Sequence, residues 1–182
     1  MSREFSIATE RLILRELTEQ DVPSLYEILS DPETMKYYPA PYDLKGTEGW
    51  VNYSRNSYAK NGFGLWAMTL KADGSFIGQC GLHYTNIDGE KVPEIGYHVN
   101  KKFWNKGYAT EAALASLKYG FEKFHLPQIF IHTWVKNIPS QRIAEKVGMQ
   151  KAKEYDKHIP AHNIFMRHIV YFMQNQDSSP LS

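Results

Sequence analysis

The segment from Pro93 to Val135 constrains the fold more than any other part of the chain, because it reads as strand, helix, strand. Pro93–Asn100 is strand-like, and Thr110–Phe124 repeats its apolar residues at helical spacing. Gln128–Val135, "QIFIHTWV", has the continuous apolar character of a buried central strand. Two strands joined by a helical crossover belong to a sheet that is at least partly parallel. The sequence therefore predicts a mixed α/β (α+β) sheet.

The other elements follow from periodicity and turn signals. Helices are predicted from Val22 to Leu29, from Gly46 to Lys60, and in the short segment "NIPSQRIAEKVG". The further strands are predicted at Arg11–Leu17, Leu65–Leu70, Ser75–Tyr84, Met149–Tyr155 and Asn163–Tyr171. The total is about seven strands, mostly antiparallel, and four helices.

The chain has 182 residues and shows no repeat or linker that would divide it. We therefore predict one domain over residues 1–174 and a polar, flexible tail over residues 175–182, "NQDSSPLS". Exposed strand edges in such a sheet would permit pairing with a second copy, so a homodimer is possible on this reading.

Charge and composition exclude several functions. The formal net charge is +1 with no long block of one sign, which argues against general nucleic-acid binding. No stretch approaches the ~20 apolar residues of a membrane helix, and the N-terminus lacks the apolar core of a signal peptide. A cytoplasmic location without membrane partners is the expectation.

A metal site is not expected. Cys80 is the only cysteine, so neither a disulfide within the chain nor a cysteine-rich zinc site is possible. His158 and His162 are four residues apart, but Pro160 between them argues against a shared helical face. Cys80 itself lies in the apolar run "FIGQCGL" and is not expected to be a nucleophile.

The stretch "FWNKGYATEA" (residues 103–112) links the strand "EIGYHV" to the best-defined helix. The N-terminus of a helix offers free backbone N–H groups and the positive end of the helix dipole. The small residues Gly107, Ala109 and Thr110 would let a bulky anion approach that backbone closely. A phosphate or pyrophosphate is the ligand that such a turn suits, and Lys106 adds a cation. Alternatively, Gly107 is a loop glycine and Thr110 a helix cap.

Three stretches together resemble a known family. The acyl-coenzyme-A-binding core of the GNAT superfamily of N-acetyltransferases resembles the stretch "EIGYHVNKKFWNKGYATEAALASLKYGF". Other parts of the ribosomal-protein N-terminal acetyltransferase (RimJ/RimL-like) branch of that superfamily are similar to "TERLILRELTEQDVPSLYEILSDPETMKYY" and "NIPSQRIAEKVGM". The superfamily motif [Q/R]-x-x-G-x-[G/A] falls on residues 104–109, with Trp104 in the place of Gln or Arg. The three stretches keep the family order over roughly Thr9–Tyr171.

The resemblance implies acetyl-CoA as co-substrate and a sheet splayed between its fourth and fifth predicted strands. The pantetheine arm would enter that gap beside the strand that ends at Val99. The pyrophosphate would bind the backbone of the turn, and two residues of the last helix would face the arm. The implied cofactor-binding residues are Val99, Asn105, Lys106, Gly107, Tyr108, Ala109, Thr110, Asn137 and Ser140. Asn137 could instead simply cap its helix, with Ser140 in the first turn.

The reaction implied is direct acetyl transfer to a neutral primary amine. Deprotonating an α-amino group at neutral pH costs about 1 kcal/mol, whereas a lysine side chain costs about 4–5 kcal/mol. By resemblance, Glu94 is the candidate base acting through water, and Ser140 is the candidate donor to the departing thiolate. Glu94 could equally be a solvated glutamate at a strand end.

The acceptor amine is left open by the sequence. By resemblance, "MKYYPAPYD" and the second helix would form the acceptor wall, where Tyr37, Tyr38 and Tyr42 either line a slot or pack the fold. The acceptor is predicted to be a protein N-terminal α-amine, with a small amine (an antibiotic, polyamine or amino acid) as the alternative. A coenzyme-A-binding module without turnover is the third interpretation.

Overall fold

A computed structural model describes residues 5–176. Four helices, α1 to α4, are present in this range: Val22–Leu29, Leu44–Asn61, Tyr108–Phe124 and Ile138–Lys146. Eight strands, β1 to β8, are Ser6–Ala8, Leu12–Glu16, Leu65–Leu70, Phe76–Ile87, Glu90–Val99, Gln128–Trp134, Gln150–Ile159 and Ile164–Gln174. None of the helices within residues 5–176 has the length and apolar content needed to cross a membrane.

All eight strands form one sheet in the order β1-β2-β3-β4-β5-β6-β8-β7. Every neighbouring pair is antiparallel except β5 and β6, which are parallel because α3 carries the chain back across the sheet. The predicted mixed, mostly antiparallel α/β sheet with four helices is thus confirmed. The sheet has one strand more than predicted, since the three-residue β1 pairs with β2.

The apolar residues of the sheet form two cores, one on each face. Leu82, Ile95 and Ile129 belong to the larger core, which packs beneath α3 and α4. The smaller core joins Leu25 and Leu29 of α1 to β3. Each core is built by alternate residues of the strands, so the other residues of β4 and β5 face α1 and α2.

The parallel strands β5 and β6 separate almost at once. Their register holds a single pair, Glu94 with Phe130, and the strands diverge beyond it. The side chain of Glu94 contributes to this separation, because its Oε1 accepts the backbone N–H of His132 at 3.2 Å. A carboxylate therefore occupies a position that a backbone carbonyl would fill in a continuous ladder. The splay predicted between these two strands is confirmed.

The predicted division into residues 1–174 and a tail stays a prediction. Residue 175 still follows the sheet, since the backbone N–H of Asn175 donates to the carbonyl of Pro127 at 2.9 Å. Residues 177–182 of the predicted tail lie outside the described residues.

Candidate active site

The turn between β5 and α3 has the backbone of an anion site. Asn105 and Gly107 both adopt positive φ, 60° and 83° respectively. Residues with alternating backbone handedness bring successive N–H groups into a concave arrangement that suits phosphate. No side chain caps α3, so its first N–H groups are left for a ligand.

Arg11, which immediately precedes β2, holds this turn from outside. Its Nη1 donates to the carbonyl oxygen of Lys106 at 2.9 Å, and its Nε donates to Oε2 of Glu111 at 2.7 Å. The guanidinium also lies 4.5 Å from the ring centre of Tyr108. One contact to the turn and two to the first residues of α3 hold the turn against the helix, which sequence reasoning did not anticipate.

A cleft of about 440 Å³ runs from this turn between the end of β5 and α4. It brings together segments far apart in the sequence: the connection between α1 and α2, the end of β5, the turn before α3, and α4. The cleft is lined by Thr34, Lys36, Tyr37, Tyr38, Tyr97, His98, Val99, Phe103, Trp104, Asn105, Gly107, Tyr108, Ala109, Thr110, Asn137, Pro139, Ser140, Arg142, Ile143 and Lys146.

Eight of the nine residues proposed for the cofactor line the cleft; the exception is Lys106. The side chain of Lys106 lies over the ring of Phe103, at 5.3 Å from its centre. Of the three tyrosines proposed for the acceptor, Tyr37 and Tyr38 line the cleft. Tyr42 instead stacks on Trp50 of α2, with ring centres 6.2 Å apart, and packs against the smaller core.

Ser140 lies at the first turn of α4 with a phenol beside it. The hydroxyl oxygens of Ser140 and Tyr97 are 2.7 Å apart, and both residues line the cleft. Asn137 caps α4 by accepting the N–H of Ser140 at 3.2 Å, so it performs the structural task considered for it and also lines the cleft. Burial raises the pKa of Tyr97, which keeps the phenol protonated.

Glu94 lies at the narrow end of the splay, behind the cleft wall. Its Oε1 is 2.6 Å from Nδ1 of His132, and its Oε2 is 3.4 Å from Nε2 of His83. Burial by itself would raise the pKa of this carboxyl, but contacts with His132 and His83 outweigh burial, and the pKa falls well below its usual value. Glu94 is therefore a buried, ionised carboxylate with a histidine at each oxygen.

His132 continues this cluster towards β7. Its Nε2 accepts from Nζ of Lys157 at 2.9 Å, and its ring lies 5.2 Å from that of His168. Burial lowers the pKa of the Lys157 ammonium, although Glu94 opposes this, and lowers that of His168 to about 4. A string of titratable groups thus connects the carboxylate of Glu94 to the outer strand of the sheet.

His83 faces the aromatic side chains of α2. Its ring is 6.0 Å from that of Trp50 and 6.3 Å from that of Tyr53. Burial lowers the pKa of His83, with Glu94 acting in the opposite direction, so the imidazole is neutral near pH 7. Gly96 makes room for it, because a Cβ there would lie 3.0 Å from Nε2 of His83.

Sequence reasoning missed several of these groups. His83, His98 and His132 lie on the strand that contains Glu94 or on the strands beside it. Their alternation with apolar residues was the sequence signal that could have placed them on one face of the sheet. Arg142 and Lys146 are four residues apart in α4 and both line the cleft. That spacing on one helical face was also readable, whereas the meeting of Tyr97 with Ser140 depends on the tertiary fold.

Cys80 takes no part in the cleft. It is fully buried beneath α3, where its sulfur is 3.7 Å from the hydroxyl of Ser116, and burial raises the pKa of its thiol to about 12. Such a thiol is not ionised near neutral pH and is a poor nucleophile. Within residues 5–176, no three histidine, cysteine, aspartate or glutamate side chains are grouped to hold a metal ion.

Comparison with known proteins agrees with this geometry. Residues 11–150 match the acetyltransferase (GNAT) domain family. The uncharacterised protein YkkB of Bacillus subtilis is 35% identical over 158 residues, which are 86% of this chain and 92% of YkkB. The uncharacterised N-acetyltransferase YnaD of the same organism is 34% identical over 158 residues, 86% of this chain and 89% of YnaD.

Among solved structures, a GNAT-family acetyltransferase from Bacillus anthracis superposes with a TM-score of 0.79 at 32% identity, covering 94% of this chain and 99% of that one. The chain therefore belongs to the GNAT acetyltransferases, which are acetyl-CoA-dependent acyltransferases. The fold implies acetyl-CoA as co-substrate.

Proposed function

We propose that this enzyme transfers the acetyl group of acetyl-CoA directly to the α-amino group of a protein or peptide N-terminus. The observation that carries the proposal is the cleft, which joins the turn before α3 to the end of β5 where the sheet splays, with the ionised carboxylate of Glu94 buried behind its wall. A diphosphate, an extended thioester arm and an amine need these three surroundings in that order. The chemistry of the donor thus matches the cleft from end to end.

The donor is proposed to bind through the turn and α4. Backbone N–H groups of residues 105–110 would bind the pyrophosphate, and Lys36, Arg142 and Lys146 supply positive charge along the same cleft. Val99 and Asn137 line the walls where the arm would pass. An extended arm beside the unpaired end of β5 would add to the sheet edge through backbone hydrogen bonds.

Glu94 and His83 are proposed to take the proton from the acceptor amine. Glu94 alone is a weak base, since its contacts with histidines keep it ionised. The neutral imidazole of His83 is the better proton acceptor, and the carboxylate 3.4 Å away stabilises the imidazolium that forms. An α-amine requires only about 1 kcal/mol for deprotonation at neutral pH, so a base of this modest strength is adequate.

The neutral amine then forms a bond to the thioester carbon, and the carbon–sulfur bond breaks. Ser140 is proposed to donate its hydroxyl proton to the departing thiolate sulfur and to recover a proton from Tyr97, 2.7 Å away. The second proton, released by the nitrogen as it becomes the amide, returns to Tyr97, so the phenol ends the cycle protonated. Both hydroxyls line the cleft, so neither needs to move through the core. The contact with Tyr97 supports the role of proton donor proposed for Ser140.

The α-amine is favoured over a small amine by resemblance to the ribosomal-protein branch. YdaF of Bacillus subtilis, provisionally named a ribosomal N-acetyltransferase, is 35% identical over 89 residues, 48% of this chain and 48% of YdaF. A small acceptor is favoured by a different relative: the FsC-acetyl coenzyme A-N(2)-transacetylase of Aspergillus fumigatus is 26% identical over 163 residues, 82% of this chain and 67% of that protein.

The test is release of free thiol from acetyl-CoA in the presence of defined amines. Peptides with N-terminal Ser, Ala or Met are compared with polyamines, amino acids and aminoglycosides. We expect turnover with the peptides at rates well above those with the other amines. Turnover confined to a small amine would replace the proposed acceptor, and donor binding without turnover across all amines would favour a binding module.

The donor site has its own test in Gly107→Asp. The new carboxylate would repel the pyrophosphate and strain a backbone at φ 83°, so we expect acetyl-CoA binding to be lost in calorimetric titration. Gly107→Ala introduces the strain without the charge. Gly74→Asp is the matched control, since Gly74 has φ 74° and open space around its α-carbon but lies in the turn between β3 and β4. Normal binding by Gly107→Asp would refute the proposed pyrophosphate site.

A further inference from the structure

His98 has a hydrogen-bonding nitrogen that nothing in residues 5–176 satisfies. The residue lies near the end of β5, is 8% exposed and lines the cleft. Its Nδ1 is 3.0 Å from Nε2 of Gln79, a fully buried amide on β4. Its Nε2 is buried and has no partner among the described residues. A buried polar atom of this kind in a native protein calls for an explanation.

The contact with Gln79 defines what the free nitrogen is. Gln79 presents its amide nitrogen to Nδ1 of His98, and because an amide nitrogen only donates, Nδ1 accepts in this arrangement. A neutral imidazole then carries its single hydrogen on Nε2. Burial, followed by the proximity of His83, lowers the pKa of His98 to about 4, so the ring is neutral at physiological pH. The unpartnered Nε2 is therefore an N–H donor in need of an acceptor.

The position of His98 points to the acceptor side of the gap. Glu94, Gly96 and His98 alternate onto the face of β5 turned to α1 and α2, whereas Tyr97 faces Ser140 on the other side. The ring of Tyr38, in the connection between α1 and α2, lies 4.9 Å from that of His98. His98 therefore lies on the same side of β5 as the proposed base and the acceptor wall. The hydroxyls of Tyr97 and Ser140, which are proposed to protonate the thiolate, lie on the opposite side.

We propose that Nε2 of His98 donates a hydrogen bond to the carbonyl oxygen of the acceptor's first residue, so that the enzyme selects amines carrying an α-carbonyl group. This inference rests on the proposed function and narrows its substrate class to α-aminoacyl compounds, above all peptide N-termini. Simple alkylamines and polyamines have no oxygen to offer, and their binding leaves the buried donor unpaired. A neutral donor of this kind selects by hydrogen bonding without attracting anions.

The experiment compares two acceptors, L-alaninamide and 2-aminobutane, in the second of which an ethyl group replaces the carboxamide, so that no carbonyl oxygen is present. The variants are His98→Leu, which removes the donor, and His98→Gln, whose amide restores one. We expect His98→Leu to lower kcat/KM for alaninamide by about 10- to 100-fold and to leave 2-aminobutane nearly unchanged. His98→Gln should recover most of the loss. Because each amine is compared between the variant and the unmodified enzyme, differences in amine basicity cancel.

Two results would overturn the inference. Equal losses of kcat/KM for both amines in His98→Leu would show that His98 does not bind the carbonyl group of the acceptor. If the affinity for acetyl-CoA fell by the same factor, the contact of His98 would be with the thioester oxygen instead. Unchanged kinetics in His98→Leu would mean that the donor is unused. Thermal unfolding identifies a variant that fails to fold, in which case the comparison of His98→Gln with the unmodified enzyme decides.

A binding measurement separates this inference from the proposed function. Each amine is titrated into enzyme saturated with coenzyme A, which requires no turnover. Weaker binding of alaninamide, but not of 2-aminobutane, in His98→Leu supports the inference even when no amine is acetylated. Equal affinities of alaninamide for both proteins would refute it. Absence of acetylation with intact donor binding would count against the proposed activity alone.

Discussion

The hydroxyl oxygens of Tyr97 and Ser140 lie 2.7 Å apart, although the two residues are 43 positions apart in the chain. Tyr97 also reaches the backbone carbonyl of Ser140 at 3.2 Å, which fixes the phenol over the first turn of α4. The serine is thus held beside a protonated phenol inside the cleft. Two hydroxyls in series can deliver a proton to a leaving thiolate, and the second proton released by the acetylated nitrogen restores the phenol.

Ser140→Ala and Tyr97→Phe are each expected to lower kcat by about 10- to 100-fold, since each removes a member of the proposed proton route. The affinity for acetyl-CoA, measured by calorimetry, should change little. The double variant should be no worse than the poorer single variant, because groups that act as one unit are not additive.

The matched controls are Ser116→Ala and Tyr171→Phe, which remove buried hydroxyls away from the cleft. Ser116 bonds the carbonyl of Ala112 within α3, and the Tyr171 hydroxyl contacts Glu145. Both controls should keep kcat. Additive losses in the double variant would contradict the shared route, as would a loss of donor affinity that accounts for the whole fall in kcat/KM.

Arg11→Lys is expected to weaken acetyl-CoA binding by about three- to tenfold, because lysine cannot reproduce the forked contacts to Lys106 and Glu111 that shape the turn. At saturating donor, kcat should be unchanged, since Arg11 lies outside the cleft wall. Calorimetric titration with acetyl-CoA measures the effect.

Arg55→Lys is the control for Arg11→Lys. The side chain of Arg55 is 44% exposed and that of Arg11 is 43% exposed, and each pairs with a glutamate. Arg55 pairs with Glu19 far from the turn, so its replacement should leave donor affinity unchanged. Equal effects of the two variants, or a fall in saturated kcat for Arg11→Lys, would remove Arg11 from the donor site.

Local signals were sufficient to predict most elements of this fold. The helix periodicity and the glycine before α3 are encoded within a few residues, so the turn was readable from "FWNKGYATEA", whereas its ligand stays a prediction. Strand β1 was not, because three residues carry no periodicity and are defined only by pairing with β2. Element ends also differ for this reason: α3 begins at Tyr108, two residues earlier than predicted.

The chemistry of the site depended on contacts that no local pattern contains. Glu94 was identified by resemblance, but its contact with His132 spans 38 residues and its pairing with His83 requires β4 beside β5. The donor on His98 follows from Gln79, 19 residues away. Such groups acquire their protonation states from burial and from neighbours brought by the sheet, and neither is visible along the chain.

Gly81→Ala is expected to destabilise the fold by about 3 kcal/mol or more. A Cβ at Gly81 would lie 2.3 Å from the carbonyl oxygen of Gly64 and 2.8 Å from the ring of Trp66, so backbone would have to move. Urea unfolding measures the loss. Gly49→Ala in α2 is the control: nothing lies within 4 Å of its Cβ position, and alanine should stabilise that helix by about 0.5–1 kcal/mol. Similar midpoints for both variants would contradict this packing.

His98 is also expected to make stability depend on pH. Its pKa falls from 6.5 to about 4 on folding because burial disfavours the imidazolium. Between these values the unfolded chain binds a proton that the folded protein does not, so protonation favours unfolding. The contribution of neutral His98 is fully present above pH 6.5 and is lost as the pH falls towards 4, by up to about 3 kcal/mol.

Urea unfolding of the unmodified protein and of His98→Gln at several pH values between 7.5 and 4 tests this expectation. Glutamine does not titrate, so the unmodified protein should lose stability relative to the variant as the pH falls. His168 also has a lowered pKa, but it titrates in both proteins and cancels in the difference. Parallel stability curves would show that His98 is not held neutral by burial, and the tautomer that makes its Nε2 a donor would lose its support.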